Sequence, residues 1–197
     1  MRPVPVAPAA LLVALAAHAG SSFPAPAVEG PVPYDLAGDV ACPMCGGGAG
    51  AVKATASTSL RGNYGPDLSL DGDRTTAWCE GTEGLGEGET LTLDLGKEVT
   101  IKSLGIQGGF YKDDRALINN GRLRKATVES DQGWSATAEF FFVPERKYKA
   151  KKVHVMATPV PNAAGKTARV LTLRIDEADE GQFTKDVCVS EVVIEVE

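Results

Sequence analysis

The fold is decided by Leu91-Thr92-Leu93-Asp94-Leu95-Gly96, followed by Val99-Thr100-Ile101-Lys102-Ser103-Leu104-Gly105-Ile106. Apolar and polar residues alternate in both segments with a period of two, which is typical of half-buried antiparallel strands. Just before them, Asp71-Gly72-Asp73-Arg74-Thr75-Thr76-Ala77-Trp78 places two carboxylates, two hydroxyls and a turn glycine ahead of a large apolar ring. Such a loop either binds a hard cation or bonds to its own amides. Together the three segments indicate a binding module.

The same strand pattern recurs along the chain beyond residue 51. Turns that carry Gly, Pro, Asn and Asp separate eight predicted strands, which span 52–58, 89–95, 99–107, 122–129, 135–143, 152–158, 168–176 and 188–196. No amphipathic helix of ordinary length is visible. The sequence therefore predicts one all-β domain over residues 51–197, a sandwich or barrel of about eight strands.

The first 50 residues have a different composition. Residues 1–19 combine a positive start at Arg2, a short apolar run and the small-residue site Ala17-His18-Ala19, which predicts a secretory signal peptide. The apolar run is too short to span a bilayer, and three early prolines disfavour an amphipathic first helix. Residues 20–50 are rich in Pro, Ala and Gly and predict a flexible tether. We therefore expect a secreted or periplasmic protein.

The formal charge of the chain is −6. Cleavage after residue 19 removes Arg2 and leaves 19 basic against 26 acidic residues, a net charge of −7. An acidic module lacks the basic excess with which proteins neutralise nucleic-acid phosphates, so neither nucleic acid nor an anionic membrane is an expected partner. The basic cluster at residues 146–152 is interpreted as a solvated strand edge, with an anion-binding patch as the alternative.

Three blocks of this sequence resemble the discoidin-like, galactose-binding-like β-sandwich, and in particular the NAD-glycohydrolase-type glycan-binding or translocation domain. The blocks are Tyr64-Gly65-Pro66 with Asp71-Gly72-Asp73 and Thr76-Ala77-Trp78-Cys79-Glu80-Gly81, then Gly86-Glu87-Gly88-Glu89 with Asp94-Leu95-Gly96, and finally Asp186-Val187-Cys188-Val189-Ser190-Glu191-Val192. Their order and spacing extend the resemblance over roughly residues 52–197. It implies a jelly-roll sandwich that binds carbohydrate or a related ligand and has no catalytic activity.

The resemblance also implies a structural Ca²⁺ ion in the acidic loop. Asp71, Asp73 and Thr76 would supply oxygen ligands, and the last strand would contribute the carboxylate of Glu191. The alternative is an Asx-type turn without an ion. Trp78 is interpreted as a plug at the end of the core and not as a platform for a sugar.

Four cysteines in an exported chain suggest disulfides. If Glu191 shares the loop site, as the resemblance implies, Cys188 lies near Cys79 and the two should pair. Cys42 and Cys45 would then form a small local disulfide. Two alternatives remain for this Cys-x-x-Cys, a thiol-redox site and a zinc site that would also need Cys79 and Cys188.

Residues for catalysis are few. His154 is the sole histidine after residue 19, and we interpret it as an exposed strand residue. No serine elbow is present, and the glycines at 84–88 precede a strand where a phosphate-binding loop would precede a helix. Glu177, Asp179 and Glu180 are interpreted as a solvated acidic turn, with glycosidase carboxylates as the alternative. We therefore expect no enzyme.

Ligand recognition is assigned to the long connection at residues 108–121. Its aromatic, amide and guanidinium groups suit a sugar, and we predict ligand contacts from Tyr111, Arg115, Asn119 and Arg122. The expected partner of this monomer is a glycan or another cell-surface ligand. Two other hypotheses remain, a periplasmic thiol-redox protein that uses Cys42 and Cys45, and a structural or protein-interaction module.

Overall fold

The computed structural model describes residues 52–141 and 157–197. These residues form antiparallel strands with one short helix, and the predicted all-β class is confirmed. The strands are β1 (Lys53–Ala56), β2 (Trp78–Cys79), β3 (Thr90–Gln107), β4 (Arg122–Ser130), β5 (Ser135–Glu139), β6 (Thr158–Pro159), β7 (Thr167–Asp179), β8 (Cys188–Val189) and β9 (Glu191–Val196). A 3₁₀ turn covers Pro66–Ser69, and α1 covers Asp114–Asn119.

Strand β3 is shared by both layers of the sandwich. Its first half lies between β1 and β7 in a sheet of order β1-β3-β7-β4-β5. Its second half pairs with β9 and with β6. The sequence predicts two strands here, but the pairing register shifts between Asp94 and Val99 instead of breaking. Gly96, with φ of 75°, adopts the left-handed conformation at this bulge, which bends the strand from one layer into the other.

The core lies between the layers, and the alternation read from the sequence is the reason. Leu91, Leu93 and Leu95 all point inward from β3 and belong to one apolar cluster with the inward side chains of β4, β7 and β9. Trp78 belongs to the same cluster and is fully buried, while its Nε1 donates to the carbonyl of Thr58 at 3.0 Å. Trp78 is therefore a core residue, as interpreted from the sequence.

Several predictions fall outside the described residues. They are the signal peptide 1–19, the tether 20–50 with Cys42 and Cys45, the basic cluster 146–152, and His154. Most of the predicted strand 152–158 also lies there. Among the described residues no helix is long and apolar enough to cross a membrane.

Candidate functional site

Three connections meet at one end of the sandwich, and Ser190 joins them. The Ser190 amide donates to the carbonyls of Gln107 and Gly109, at 3.0 and 3.1 Å. Its buried hydroxyl accepts from the Tyr111 amide at 2.9 Å and donates to the Arg74 carbonyl at 3.2 Å. One side chain between β8 and β9 thus holds the acidic loop 71–76 against the long connection 108–121.

A disulfide reinforces the same end. Cys79 of β2 and Cys188 of β8 are directly paired in the antiparallel ladder, and their sulfur atoms are bonded. The structure therefore has the pairing that the resemblance implied. Phe110 packs against both cysteines, and its ring meets that of Tyr64 edge-on with centroids 6.1 Å apart. This small second core lies beneath the long connection and supports it.

The acidic loop hydrogen-bonds to itself. The Asp71 carboxylate accepts from the Asp73 amide at 2.8 Å and from the Thr76 hydroxyl at 2.7 Å. Asp73 accepts from the hydroxyl and the amide of Thr75, at 2.6 and 2.9 Å. These bonds from Thr75 hold the pKa of Asp73 below its usual value of 3.8. The Asx-type geometry is therefore present, and it leaves further lone pairs on both carboxylates available to an ion.

Glu191 reaches this loop from the start of β9, and the structure brings it to Asp71. The Glu191 side chain is 7% exposed. Burial, followed by the hydrogen bond and the charge of Asp71, raises its pKa from 4.5 to about 8, although a hydrogen bond from the Gly72 amide acts in the opposite direction. Its Oε1 has no hydrogen-bond partner within the described residues 52–141 and 157–197. A buried acceptor without a partner is the feature that a cation would complete.

A calcium site at this loop would need neutral oxygen ligands as well as carboxylates. The described residues contain no group of three or more His, Cys, Asp or Glu side chains that could hold a metal ion. Calcium takes six to eight oxygens, among them amide and backbone carbonyls. Asp71, Thr76 and Glu191 therefore fit a calcium site if neutral oxygens complete it.

The long connection contains an unexpected helix. Helix α1 begins after Asp113, whose carboxylate accepts from the Ala116 amide at 2.7 Å. It ends at Asn119, and the Asn120 side-chain amide donates to the Ala116 carbonyl at 2.8 Å. Six residues are too few to show a helical period in the sequence, so the cap was the available signal.

The four predicted ligand residues differ in what their side chains do. Arg122 donates to the carbonyls of Leu117 and Ile118 in α1 and of Glu180 beyond β7, and burial lowers its pKa. It therefore positions the loops. Tyr111 is half-buried, and burial raises its pKa. Asn119 is half-buried, whereas Arg115 is exposed on α1.

Sequence reasoning missed Phe183, which lies beside α1. Its side chain is 78% exposed. The amides of Phe183 and Thr184 both donate to the Asn119 carbonyl, at 3.2 and 3.0 Å, and the Gln182 amide donates to the Ile118 carbonyl at 2.9 Å. A single aromatic residue within the polar run 180–186 is the signal that could have revealed it.

The acidic residues considered for glycosidase chemistry form exposed ion pairs. Glu177 lies 3.8 Å from Lys125, Asp179 lies 3.6 Å from Arg124, and Glu180 lies 2.8 Å from Lys185. Exposed pairs of this kind contribute little to stability. Their geometry is that of a solvated surface.

Comparison with known proteins identifies the fold. The profile of the NAD glycohydrolase translocation F5/8 type C domain matches residues 44–195. Comparison with curated protein sequences gave no match.

Among solved structures, the family 32 carbohydrate-binding module of Clostridium perfringens NanJ, in complex with galactose, is similar at 18% identity and a TM-score of 0.52, covering 73% of this chain and 92% of that one. The third family 32 module of a family 31 glycoside hydrolase from the same organism is similar at 14% identity and a TM-score of 0.53, covering 74% and 91%. A domain of the mycobacterial arabinofuranosyltransferase AftD is similar at 17% identity and a TM-score of 0.51, covering 72% of this chain and 10% of that one. At these identities the similarity shows the fold, and the predicted discoidin-like β-sandwich is confirmed.

Proposed function

Because this chain belongs to the family of NAD glycohydrolase translocation F5/8 type C domains, we propose that it is an exported, non-catalytic module that binds a glycan. The observation that carries the proposal is the exposed side chain of Phe183, whose backbone amide donates to the Asn119 carbonyl at the amide-rich end of α1. As part of this proposal, the protein is secreted or periplasmic and acts as a monomer.

The proposed binding surface, named here the loop surface, consists of Arg115, Ile118, Asn119 and Phe183. Arg115 lies three and four residues before Ile118 and Asn119, so the three side chains share one face of α1. Phe183 extends that face because its amide bonds to the Asn119 carbonyl. An apolar ring beside a few convergent polar groups is the usual composition of a small-ligand site. The ring can stack on the C–H face of a sugar while guanidinium and amide groups meet its hydroxyls.

The loop surface is also preorganised. Backbone hydrogen bonds tie residues 182–184 to α1, and the Arg122 guanidinium bonds the carbonyls of Leu117 and Glu180 on either side. Binding to a surface that is already ordered costs less conformational entropy than binding to a mobile loop. Arg122 and Tyr111 therefore act through the shape of the surface, while Arg115, Asn119 and Phe183 contact the ligand.

The similar NanJ module is known in complex with galactose, which supports galactose-containing glycans as the first probes. A glycan array with the full chain would select a ligand, and titration calorimetry would measure its affinity. Phe183→Ala should weaken binding about tenfold or more, as expected for an aromatic residue at the centre of an interface. Stability should change by less than about 0.5 kcal/mol because the side chain is exposed.

Phe141→Ala is the matched control, since Phe141 is 83% exposed but lies on a different connection, directly after β5. Its replacement should leave the affinity unchanged. An equal loss of affinity in both variants, or no loss in Phe183→Ala, would contradict the assignment of binding to the loop surface.

We also propose a structural calcium ion between the acidic loop and Glu191. Support comes from the unpartnered Glu191 Oε1 and from the proximity of Asp71 to it. An ion there would hold loop 71–76 against β9 and leave recognition to the loop surface.

A further inference from the structure

Two buried side-chain oxygens without hydrogen-bond partners lie on neighbouring strands. Gln107, the last residue of β3, is paired in register with Glu191, the first residue of β9. Their side chains are 1% and 7% exposed, and in the part of the chain that the structure describes the Oε1 atom of each has no hydrogen-bond partner. Directly opposite residues in an antiparallel pair place their side chains on the same face, with Cβ atoms about 4.5 to 5.5 Å apart.

That face is turned toward the acidic loop. Ile106, Val192 and Ile194 belong to the apolar core, and side chains alternate along a strand. Gln107 and Glu191 therefore lie on the opposite face of their strands. Glu191 is bonded there to the Asp71 carboxyl group and to the Gly72 amide, so the acidic loop lies on the face that Gln107 shares.

Around Gln107, Glu191 and Asp71, hydrogen-bond acceptors outnumber the hydrogen-bond donors that reach them. A buried oxygen that lacks a partner is costly, and two such oxygens on directly opposite residues, with a further carboxyl group beside one of them, favour a positive charge near them. The side-chain ligands offered by Asp71, Glu191 and Gln107 are carboxylate and amide oxygens, with no sulfur or imidazole among them. Such a set suits calcium and does not suit zinc.

We propose that Gln107 supplies a neutral amide oxygen to the calcium ion whose charged ligands are Glu191 and Asp71. This inference rests on the calcium site proposed above and is independent of glycan binding at the loop surface. Gln107 meets the need for a neutral oxygen ligand, and the sequence did not point to it because it lies 31 residues beyond the end of the acidic loop along the chain.

The test uses the full chain, stripped of metal with a chelator and titrated with Ca²⁺ alone. Calorimetry gives the affinity, and thermal unfolding with and without calcium gives the stabilisation. Gln107→Met keeps the length of the side chain and removes the oxygen. It should weaken calcium binding about tenfold or more. The substitution also removes the side-chain nitrogen, so the stability of the metal-free variant is measured as well and its loss of calcium affinity is judged on folded protein.

Gln107→Glu should lower the stability of the metal-free protein and increase its stabilisation by calcium. The added carboxylate makes the metal-free protein less stable by repulsion from Glu191, and it makes the rise in Tm on adding calcium larger than in wild type. The matched control is Gln132→Met, an identical substitution in the exposed turn after β4, which should leave calcium affinity unchanged.

Each outcome decides the proposal. If wild type shows no calcium response, both the ion and the role of Gln107 are refuted, whatever the glycan assays give. If wild type responds and Gln107→Met responds equally, the ion is retained and Gln107 is refuted as a ligand. If calcium raises the Tm of Gln107→Glu no more than that of wild type, the side chain at position 107 does not reach the ion, and the proposal fails. Should Gln107→Met not fold, the calcium affinity of Gln107→Glu decides.

Discussion

Replacing Glu80 with alanine should destabilise the protein by about 3 to 4 kcal/mol, although Glu80 belongs to no proposed binding surface. Glu80 is fully buried. Its Oε1 accepts from the Val187 amide at 3.0 Å, and its Oε2 accepts from the amide and the hydroxyl of Thr82, both at 2.8 Å. This one carboxyl group thus joins the connection after β2 to the segment before β8.

The magnitude follows from these three bonds. The Val187 residue is buried, so the loss of the Glu80 acceptor would leave its amide without that bond, at a cost of about 2 kcal/mol. The two Thr82 donors are half-buried and would cost about 1 kcal/mol each. The Glu80 side chain also packs closely against Gly86, where a built methyl group would approach the Glu80 Cγ to 2.5 Å, so its removal leaves a gap in the packing as well.

The assay is urea unfolding of the full chain, with the free energy of unfolding extrapolated to water. The expected loss corresponds to a fall in Tm of about 6 to 15 °C for a domain of this size. Thr82→Ala is the matched comparison, since it removes one of the three bonds and should cost about 1 kcal/mol. A loss below 1 kcal/mol for Glu80→Ala, or equal losses in both variants, would refute the reasoning.

Three further predictions concern the disulfide, the calcium ion and the response to acid. The Cys79→Ser, Cys188→Ser double variant should lose about 2 to 5 kcal/mol, because the bond closes a segment with a sequence separation of 109; peptide mapping that joins either cysteine elsewhere would contradict the pairing. Calcium at about 100 times its Kd should stabilise wild type by about 2.7 kcal/mol, and a rise in Tm that persists unchanged in Asp71→Ala would refute that carboxylate as a ligand. Backbone amides of β7 donate to the Asp131 carboxylate and lower its pKa below 3.8. The contribution of this carboxylate to the stability of the fold is therefore present above pH 3.8 and is lost as the pH falls through the lowered pKa. Asp131→Asn should therefore show a weaker dependence of Tm on pH in that acid range, and an unchanged profile would refute this.

The strands of this protein could be predicted from the sequence because their pattern is local. Alternation at period two in Leu91–Leu95 reports which side chains face inward, and it needs no knowledge of the partner strand. The same holds for the self-bonded acidic loop, whose acceptors and donors lie within six residues. The fusion of two predicted strands into β3 was not visible, since Gly96 with its polar neighbours is typical of a turn as well as of a bulge.

In the candidate sites, too, local features could be predicted from the sequence and long-range contacts could not. Residue composition alone predicted a binding role for the connection that contains Arg115 and Asn119. The resemblance predicted that Glu191 lies beside Asp71. The sequence could not reveal that Arg122 donates to carbonyls of two loops, or that Phe183 lies exposed next to Asn119. Those contacts join residues about 60 positions apart.

The sequence by itself determined the all-β class, the inward face of each main strand and the absence of ordinary catalytic motifs, since these depend on residue type and short-range spacing. Only the tertiary structure decided which oxygens are buried without partners and which rings remain in solvent. Burial and hydrogen-bond satisfaction depend on what the rest of the chain places around a residue. Gln107 is the clearest case, because an ordinary strand residue becomes a candidate ligand once β9 lies beside it.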